Sequence, residues 1–390
     1  MNQLSKSEIQ ALANYSGSPC ISIYMPAEKA GAETRKNSIR FKNLISTAES
    51  KISVFDDNSK LRASLDDAKS YIDNYEFWQH QQSGLAFFIN EEEIKYYCLD
   101  SDFLELAIAS DRFYLQPLLS VVSNNTKFYL LALAQNEVRL FLGDRNSLKL
   151  VDLPESIPAS LAEALKYDDP EKQTQYHSGD SGQTPIYHGQ GVGTNDNKDE
   201  IKRFFQQIDS GIKSAFAEED TPLILAGVEY LLPIYHEINS YSNLHEMGIT
   251  GNPEHVSEQD LHQQAWKIIQ PEFVARERKA IDQYNQLAET QEASNKLTEI
   301  VTAAAKGQID TLFIIANTIR WGQVDLPANR VEIHSEPNQN SIDLYDFAAV
   351  NTYLQGGKVY FLDSEQKSER GNIMAILRYP IYAEAEKVSV

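Results

Sequence analysis

From Asp168 to Thr184 the chain carries Pro170, Gly179 and Gly182 among Gln, Ser, Asp and His residues, with almost nothing a core would hold. Loops of this length without secondary structure of their own are functional or disordered in most proteins, so the fold has to let this segment protrude. Directly after it stands Tyr187-His188-Gly189-Gln190-Gly191-Val192-Gly193. Glycine has no Cβ and takes backbone conformations closed to other residues, which lets such a tip press close to a partner. Two readings of the whole excursion stay open: a contact tip, or a plain flexible surface loop.

The flanks of the excursion show what it leaves from. Phe128–Ala134, Glu137–Leu142 and Ser147–Leu153 read as a three-stranded meander, with turn residues at Gln135-Asn136 and Gly143-Asp144-Arg145-Asn146. Pro158–Lys166 reads as a short helix leading into the loop. Beyond the loop, Ile201, Phe204, Phe205, Ile208 and Ile212 recur at helical spacing, and Asn195 or Asp196 is available as the cap. A buried-type strand, Leu223–Val228, and a helix around Leu232–Ser240 follow. Gly251-Asn252-Pro253 then makes a natural boundary.

On the N-terminal side, Ile21–Tyr24, Leu85–Ile89 and Lys95–Leu99 read as strands, and Phe41, Leu44, Ile45, Ala48 and Ile52 as one face of a helix. On the C-terminal side, a polar helical region from about Glu258 to Lys306, with breaks, precedes the apolar strand Thr311–Ala316. A helix through Phe347, Val350 and Leu354 is stopped by Gly356-Gly357, and strands Lys358–Leu362 and Ile373–Tyr379 close the chain. Alternating strands and helices predict a three-layer α/β/α sandwich there. The expected fold class is therefore α/β in three domains: 1–125 mixed α/β, 126–255 central with its loop at 168–196, and 256–390 α/β/α. A length of 390 residues agrees with two or three domains.

Composition limits the function. No apolar run approaches the ~18 residues that cross a bilayer, and Met1 to Tyr15 lacks the apolar core of a secretory signal. A cytoplasmic protein with no membrane partner is expected, its two cysteines, Cys20 and Cys98, free thiols in a reducing compartment. The formal net charge of -21 argues against nonspecific nucleic-acid binding. RNA contact has to be local, and two basic stretches offer it. Lys29, Arg35, Lys36, Arg40 and Lys42 form the first, with Lys36 and Arg40 four apart on the solvent side of their helix; Lys198, Lys202 and Arg203 behind the glycine loop form the second. Each also reads as an ordinary solvated helix face.

Several chemistries lack their parts. A meander followed by helix, strand and helix is how an RNase H-like domain begins, but the nucleases of that fold hold two metal ions on acidic strand residues, and Phe128–Ala134 contains none. His177 and His188 lie in near-repeated Tyr-His-x-Gly contexts, and His236-Glu237 and His245-Glu246 flank Leu244, yet no pair has the H-E-x-x-H spacing. No metal site and no cofactor are expected. G-x-S-x-G and Walker motifs do not occur, and Gly189-Gln190-Gly191-Val192-Gly193 does not match G-x-G-x-x-G. A helix N-terminus after Gly193 still favours an anion, which keeps a small anionic ligand or nucleotide open. Gln190 is the one pointed candidate: a glutamine is no general base, but it positions a water or stabilises an oxyanion in a site supplied partly by something else.

At these residues the chain resembles the bacterial relatives of the archaeo-eukaryotic class 1 peptide-chain release factors and Pelota. The resemblance spans nearly the whole chain. It rests on Ser22-Ile23-Tyr24-Met25-Pro26 with Arg35 through Leu44, on Phe113 through Leu119, on His188–Phe205, and on Ala348 through Leu362 with Ala375-Ile376-Leu377-Arg378-Tyr379. It implies an RNase H-like central domain whose Gly-Gly-Gln loop enters the peptidyl-transferase centre and promotes hydrolysis of peptidyl-tRNA. His188-Gly189-Gln190 would be that tripeptide, with Gln190 positioning water and Gly189 as hinge. Lys198, Lys202 and Arg203, with Arg35, Lys36 and Arg40, would contact RNA of the ribosome's large subunit, and tRNA is a further expected partner. The last domain would be a Pelota-like module for the ribosome or a protein partner. His188 stands where the release factors have glycine, and an imidazole restricts the backbone. Ribosome binding without peptide release, as in a rescue or hibernation factor, is therefore open beside catalysis, as is a protein-interaction scaffold.

Overall fold

The computed structural model describes residues 4–380 apart from 16–18, 30, 54, 56–58, 124–125, 135, 155–156, 159, 162, 165–192, 213–220 and 364–370. The chain divides into two compact units, one of residues 1–125 with 275–390, the other of 126–274.

The first part of the chain contributes α1 (Lys6–Asn14), β1 (Cys20–Pro26), α2 (Arg35–Ile52), α3 (Ser59–Lys69), α4 (Tyr75–Gln79), β2 (Gly84–Ile89), β3 (Ile94–Leu99), β4 (Leu106–Ser110) and α5 (Gln116–Val122). Its sheet runs β3-β2-β1-β4, all antiparallel. β1 and β2 are buried on both faces, and the period of two in a strand divides their side chains between two cores. Ile21, Ile23, Met25, Leu85 and Phe87 meet the apolar stripe of α2, while Tyr24, Ala86 and Phe88 face the opposite core with α1 and α5.

The central unit is built from β5 (Phe128–Leu133), β6 (Val138–Gly143), β7 (Leu148–Val151), α6 (Gly193–Ile212), β8 (Leu223–Gly227), α7 (Leu231–Ile238), β9 (Ile249–Thr250) and the first half of α8 (Glu258–Leu287). The sheet order is β7-β6-β5-β8-β9, with β7, β6 and β5 antiparallel and β8 and β9 parallel to β5. This is the RNase H-like arrangement that the meander predicts. Leu131, Leu133 and Leu225 face α6 and α7, and Leu130, Ala132 and Ile224 face Leu261, Ala265 and Ile269 of α8. The unit therefore runs past the boundary at 255 read from Gly251-Asn252-Pro253, because the first turns of α8 complete its second core.

The rest of the chain forms β10 (Ala293–Ser294), α9 (Leu297–Ala305), β11 (Ile309–Ile315), β12 (Trp321–Asp325), β13 (Arg330–Ile333), β14 (Ile342–Asp343), α10 (Leu344–Leu354), β15 (Lys358–Leu362) and β16 (Ile373–Leu377). A sheet ordered β10-β16-β11-β15 carries Tyr284 of α8 on one face and α9 with α10 on the other, an α/β/α layering. Gly356, at φ +78°, stops α10 in a conformation that favours glycine. Leu312 and Ile314 of β11 share one core with Tyr24 and Phe88 of the first sheet. The parts read from sequence as first and last domains thus form one compact unit. Among the described residues, no helix is long and apolar enough to cross a membrane.

Candidate functional site

α6 is the described element nearest in sequence to the glycine loop. Ile201, Phe204, Phe205, Ile208 and Ile212 are buried against the sheet, as the helical spacing requires. The helix begins at Gly193, earlier than the cap read at Asn195 or Asp196, so those two residues lie inside its first turn. Its far half is anchored by Asp209, a buried carboxylate that accepts the Ser240 N–H at 3.2 Å and the Ser240 hydroxyl. The loop residues proper, His188, Gly189 and Gln190, lie outside the described residues.

The three basic residues of α6 differ in their surroundings. Lys202 Nζ donates to Glu237 Oε1 of α7 at 2.6 Å. This hydrogen bond, with the Lys202 and then the Lys198 charge behind it, holds the Glu237 carboxyl below the usual carboxylate range. Lys198 and Arg203 are exposed. The first basic stretch behaves similarly. Arg35 is exposed, Lys36 is ion-paired with Glu33, and Arg40 turns back toward its own sheet. Arg40 Nε donates to Glu105 at 2.7 Å and Nη1 to the Pro26 carbonyl at 2.9 Å. Spacing alone placed Arg40 on the solvent side with Lys36; its long side chain lets the guanidinium reach a carboxylate and a carbonyl away from that side.

Among the described residues there is no group of three His, Cys, Asp or Glu side chains that would hold a metal ion. Four of the described histidines, His80, His245, His262 and His334, make hydrogen bonds. His245 Nδ1 accepts the Met247 N–H at 3.1 Å, and His262 Nε2 donates to the Asp144 carbonyl at 2.9 Å.

Residues 128–271 match the model of bacterial archaeo-eukaryotic release factor family 7. The resemblance read from the sequence therefore holds over β5 to α8, the RNase H-like sheet and its helices. No curated protein matches the chain. Solved structures similar to it include the archaeal translation termination factor aRF1 (12% identity, 96% of this chain and 99% of that one, TM-score 0.25). A ribosome-bound archaeal Pelota with ABCE1 (10%, 98% and 96%, TM-score 0.41) and Dom34 of S. cerevisiae (14%, 77% and 74%, TM-score 0.37) are others.

Proposed function

We propose that this release-factor-like chain is a ribosome-associated factor of the release or rescue type. The observation that carries the reading is the release-factor family match over residues 128–271. The exposed Lys198 and Arg203, on the helix that follows the glycine loop, support it. An acidic chain of net charge -21 meets RNA through a few local cations; Lys198 and Arg203 are exposed, while Lys202 is hydrogen-bonded to Glu237. The RNA contact is assigned to Lys198 and Arg203, with Arg35 as an exposed cation of the first stretch.

The test is co-sedimentation of the purified chain with bacterial ribosomes and separated large subunits at low and moderate salt. Saturable binding to the large subunit is expected, and no binding at any salt would end the reading. Lys198→Glu with Arg203→Glu should weaken binding and lower the slope of log affinity against log salt by about two, one for each lost phosphate contact. An unchanged slope would remove α6 from the interface.

Within this function, Gln190 is assigned to positioning water for peptidyl-tRNA hydrolysis, with Gly189 allowing the approach. Gln190→Ala should then slow peptide release by about a hundredfold, the usual cost of one lost transition-state contact, and leave ribosome binding unchanged. Equal loss of binding and release would make Gln190 a binding residue only. A second reading, ribosome binding without release, is favoured by His188 at the position of the first glycine. Under it the wild-type chain binds but releases no peptide, and His188→Gly gains that activity. A tRNA contact, and a protein partner for the 256–390 part, belong to the same proposal.

A further inference from the structure

The proposed function leaves the outer edge of β3 unused. β3 is the terminal strand of its sheet and, among the described residues, pairs with β2 alone. Beside it lies a groove of about 1080 Å³, lined by five consecutive strand residues from Ile94 to Cys98. Successive side chains of a strand point to opposite faces, so a groove lying on one face meets every second residue. Consecutive lining residues mean that this groove follows the edge itself, where the backbone N–H and C=O groups turned away from β2 lie.

The walls give the edge a chemistry. On one side stands α1 with Glu8; on the other stand Tyr71, just past α3, and α4 with Glu76 and Phe77. Tyr71 and Phe77 pack edge-on against Tyr96 at ring-centroid distances of 5.8 and 5.1 Å, and Tyr96 keeps 40% of its surface exposed. An aromatic shelf is thus held open beside the strand. The lysine of the groove, Lys95, is engaged by Glu93 at 2.5 Å, so it does not shield the edge as an unpaired charge would. Burial, followed by the Glu8 and Glu93 charges, pushes the Tyr97 phenol up to about 12, in keeping with an acidic groove.

We propose that this groove binds an extended, basic polypeptide segment of another protein, which adds a strand to β3. Main-chain hydrogen bonds to the edge supply affinity, and alternate side chains supply selectivity. Apolar or guanidinium groups cover the Tyr96 shelf, where ring faces attract cations, and basic groups lie opposite Glu8 and Glu76. The inference does not depend on ribosome binding.

The test uses the full chain and a fluorescent peptide of alternating valine and lysine, with binding read by anisotropy and amide hydrogen exchange by mass spectrometry. Expected are saturable binding, slowed exchange at residues 94–99, and an affinity loss of about tenfold or more when alternate peptide amides are N-methylated. Glu8→Gln with Glu76→Gln should weaken binding while the circular dichroism stays unchanged, since glutamine also serves in the α1 capping box that Ser5 and Glu8 form. Any of several results would overturn the proposal: no binding, protection confined to another region, equal affinity for the N-methylated or a valine–glutamate peptide, or oligouridine protecting residues 94–99 in the peptide's place. A free chain that is already a dimer with a protected β3 edge would assign the groove to a second copy and overturn it as well.

Discussion

Lowering the pH from 8 to 5 is expected to stabilise the unit formed by 1–125 and 275–390, the reverse of ordinary acid denaturation. Asp343 caps α10 and is buried. Its Oδ1 accepts the Arg320 and Tyr345 N–H groups at 2.9 and 3.1 Å, but its Oδ2 is buried with no hydrogen-bond partner among the described residues. Burial outweighs the backbone donors and pushes the carboxyl from its ordinary 3.8 up to about 7. Asp346, one turn along, is buried too and is also pushed well up, by burial first and by the Asp343 charge next. The folded state therefore holds protons that the unfolded chain has released, and stability falls as pH rises from about 4 through about 7. Ionising Asp343 in place costs about 4 kcal/mol at 1.4 kcal/mol per tenfold. Asn copies the neutral shape and keeps the accepting Oδ1, so Asp343→Asn should raise stability at pH 8 and flatten the pH dependence. Urea unfolding at pH 5, 6.5 and 8 measures both. A wild type whose midpoint climbs with pH across this window would contradict the assignment.

Gly84→Ala is expected to destabilise the same unit by about 3 kcal/mol, the upper range for overpacking. Gly84 opens β2 and pairs with Pro26 on one side and Leu99 on the other. A Cβ there would stand 2.1 Å from the Ser101 carbonyl oxygen and 2.7 Å from the Phe103 ring. The oxygen belongs to the backbone and Phe103 is buried, so neither yields without moving the chain that leads into β4. A urea midpoint equal to that of the wild type would show that this segment shifts freely.

The strands buried on two faces were legible in the sequence because double burial writes a mainly apolar run: Ile21–Tyr24, Leu85–Ile89, Phe128–Ala134, Leu223–Val228 and Thr311–Ala316 each fall on a strand. The small sheet β13-β12-β14 was not legible. Its strands are only two to five residues long and mostly part-exposed, so the brief alternation of Arg330-Val331-Glu332-Ile333 and the packing of Val324 and Val331 on the core make no run that stands out. α1 was missed although its signal is present, Ser5-Lys6-Ser7-Glu8 being a capping box ahead of Ile9, Leu12 and Ala13. Periodicity finds which face of a helix is apolar but not how far a charged side chain reaches, so the spacing that grouped Arg40 with Lys36 missed its bonds to Glu105 and Pro26. Of the candidate site, the α6 stripe and its cations were readable, while the Lys202–Glu237 pair joins two helices and has no local signature.

The shared core of Tyr24, Phe88, Leu312 and Ile314 has a consequence for the order in which the chain acquires structure during synthesis. Residues 126–274 contain both of their own cores, so this stretch has everything it needs once α8 has been translated. The part that precedes it does not: α1 and α5, which cover the Tyr24 and Phe88 side of its sheet, share their core with residues between Ile300 and Leu377. Synthesis proceeds from the N-terminus at about 5–20 residues per second, and regions fold as units. Core residues of α1 and α5 therefore wait many seconds for the partners that the last part of the chain supplies. The last strand to be made completes the core that the first part begins, so premature termination before β16 leaves a folded centre between two unfinished ends.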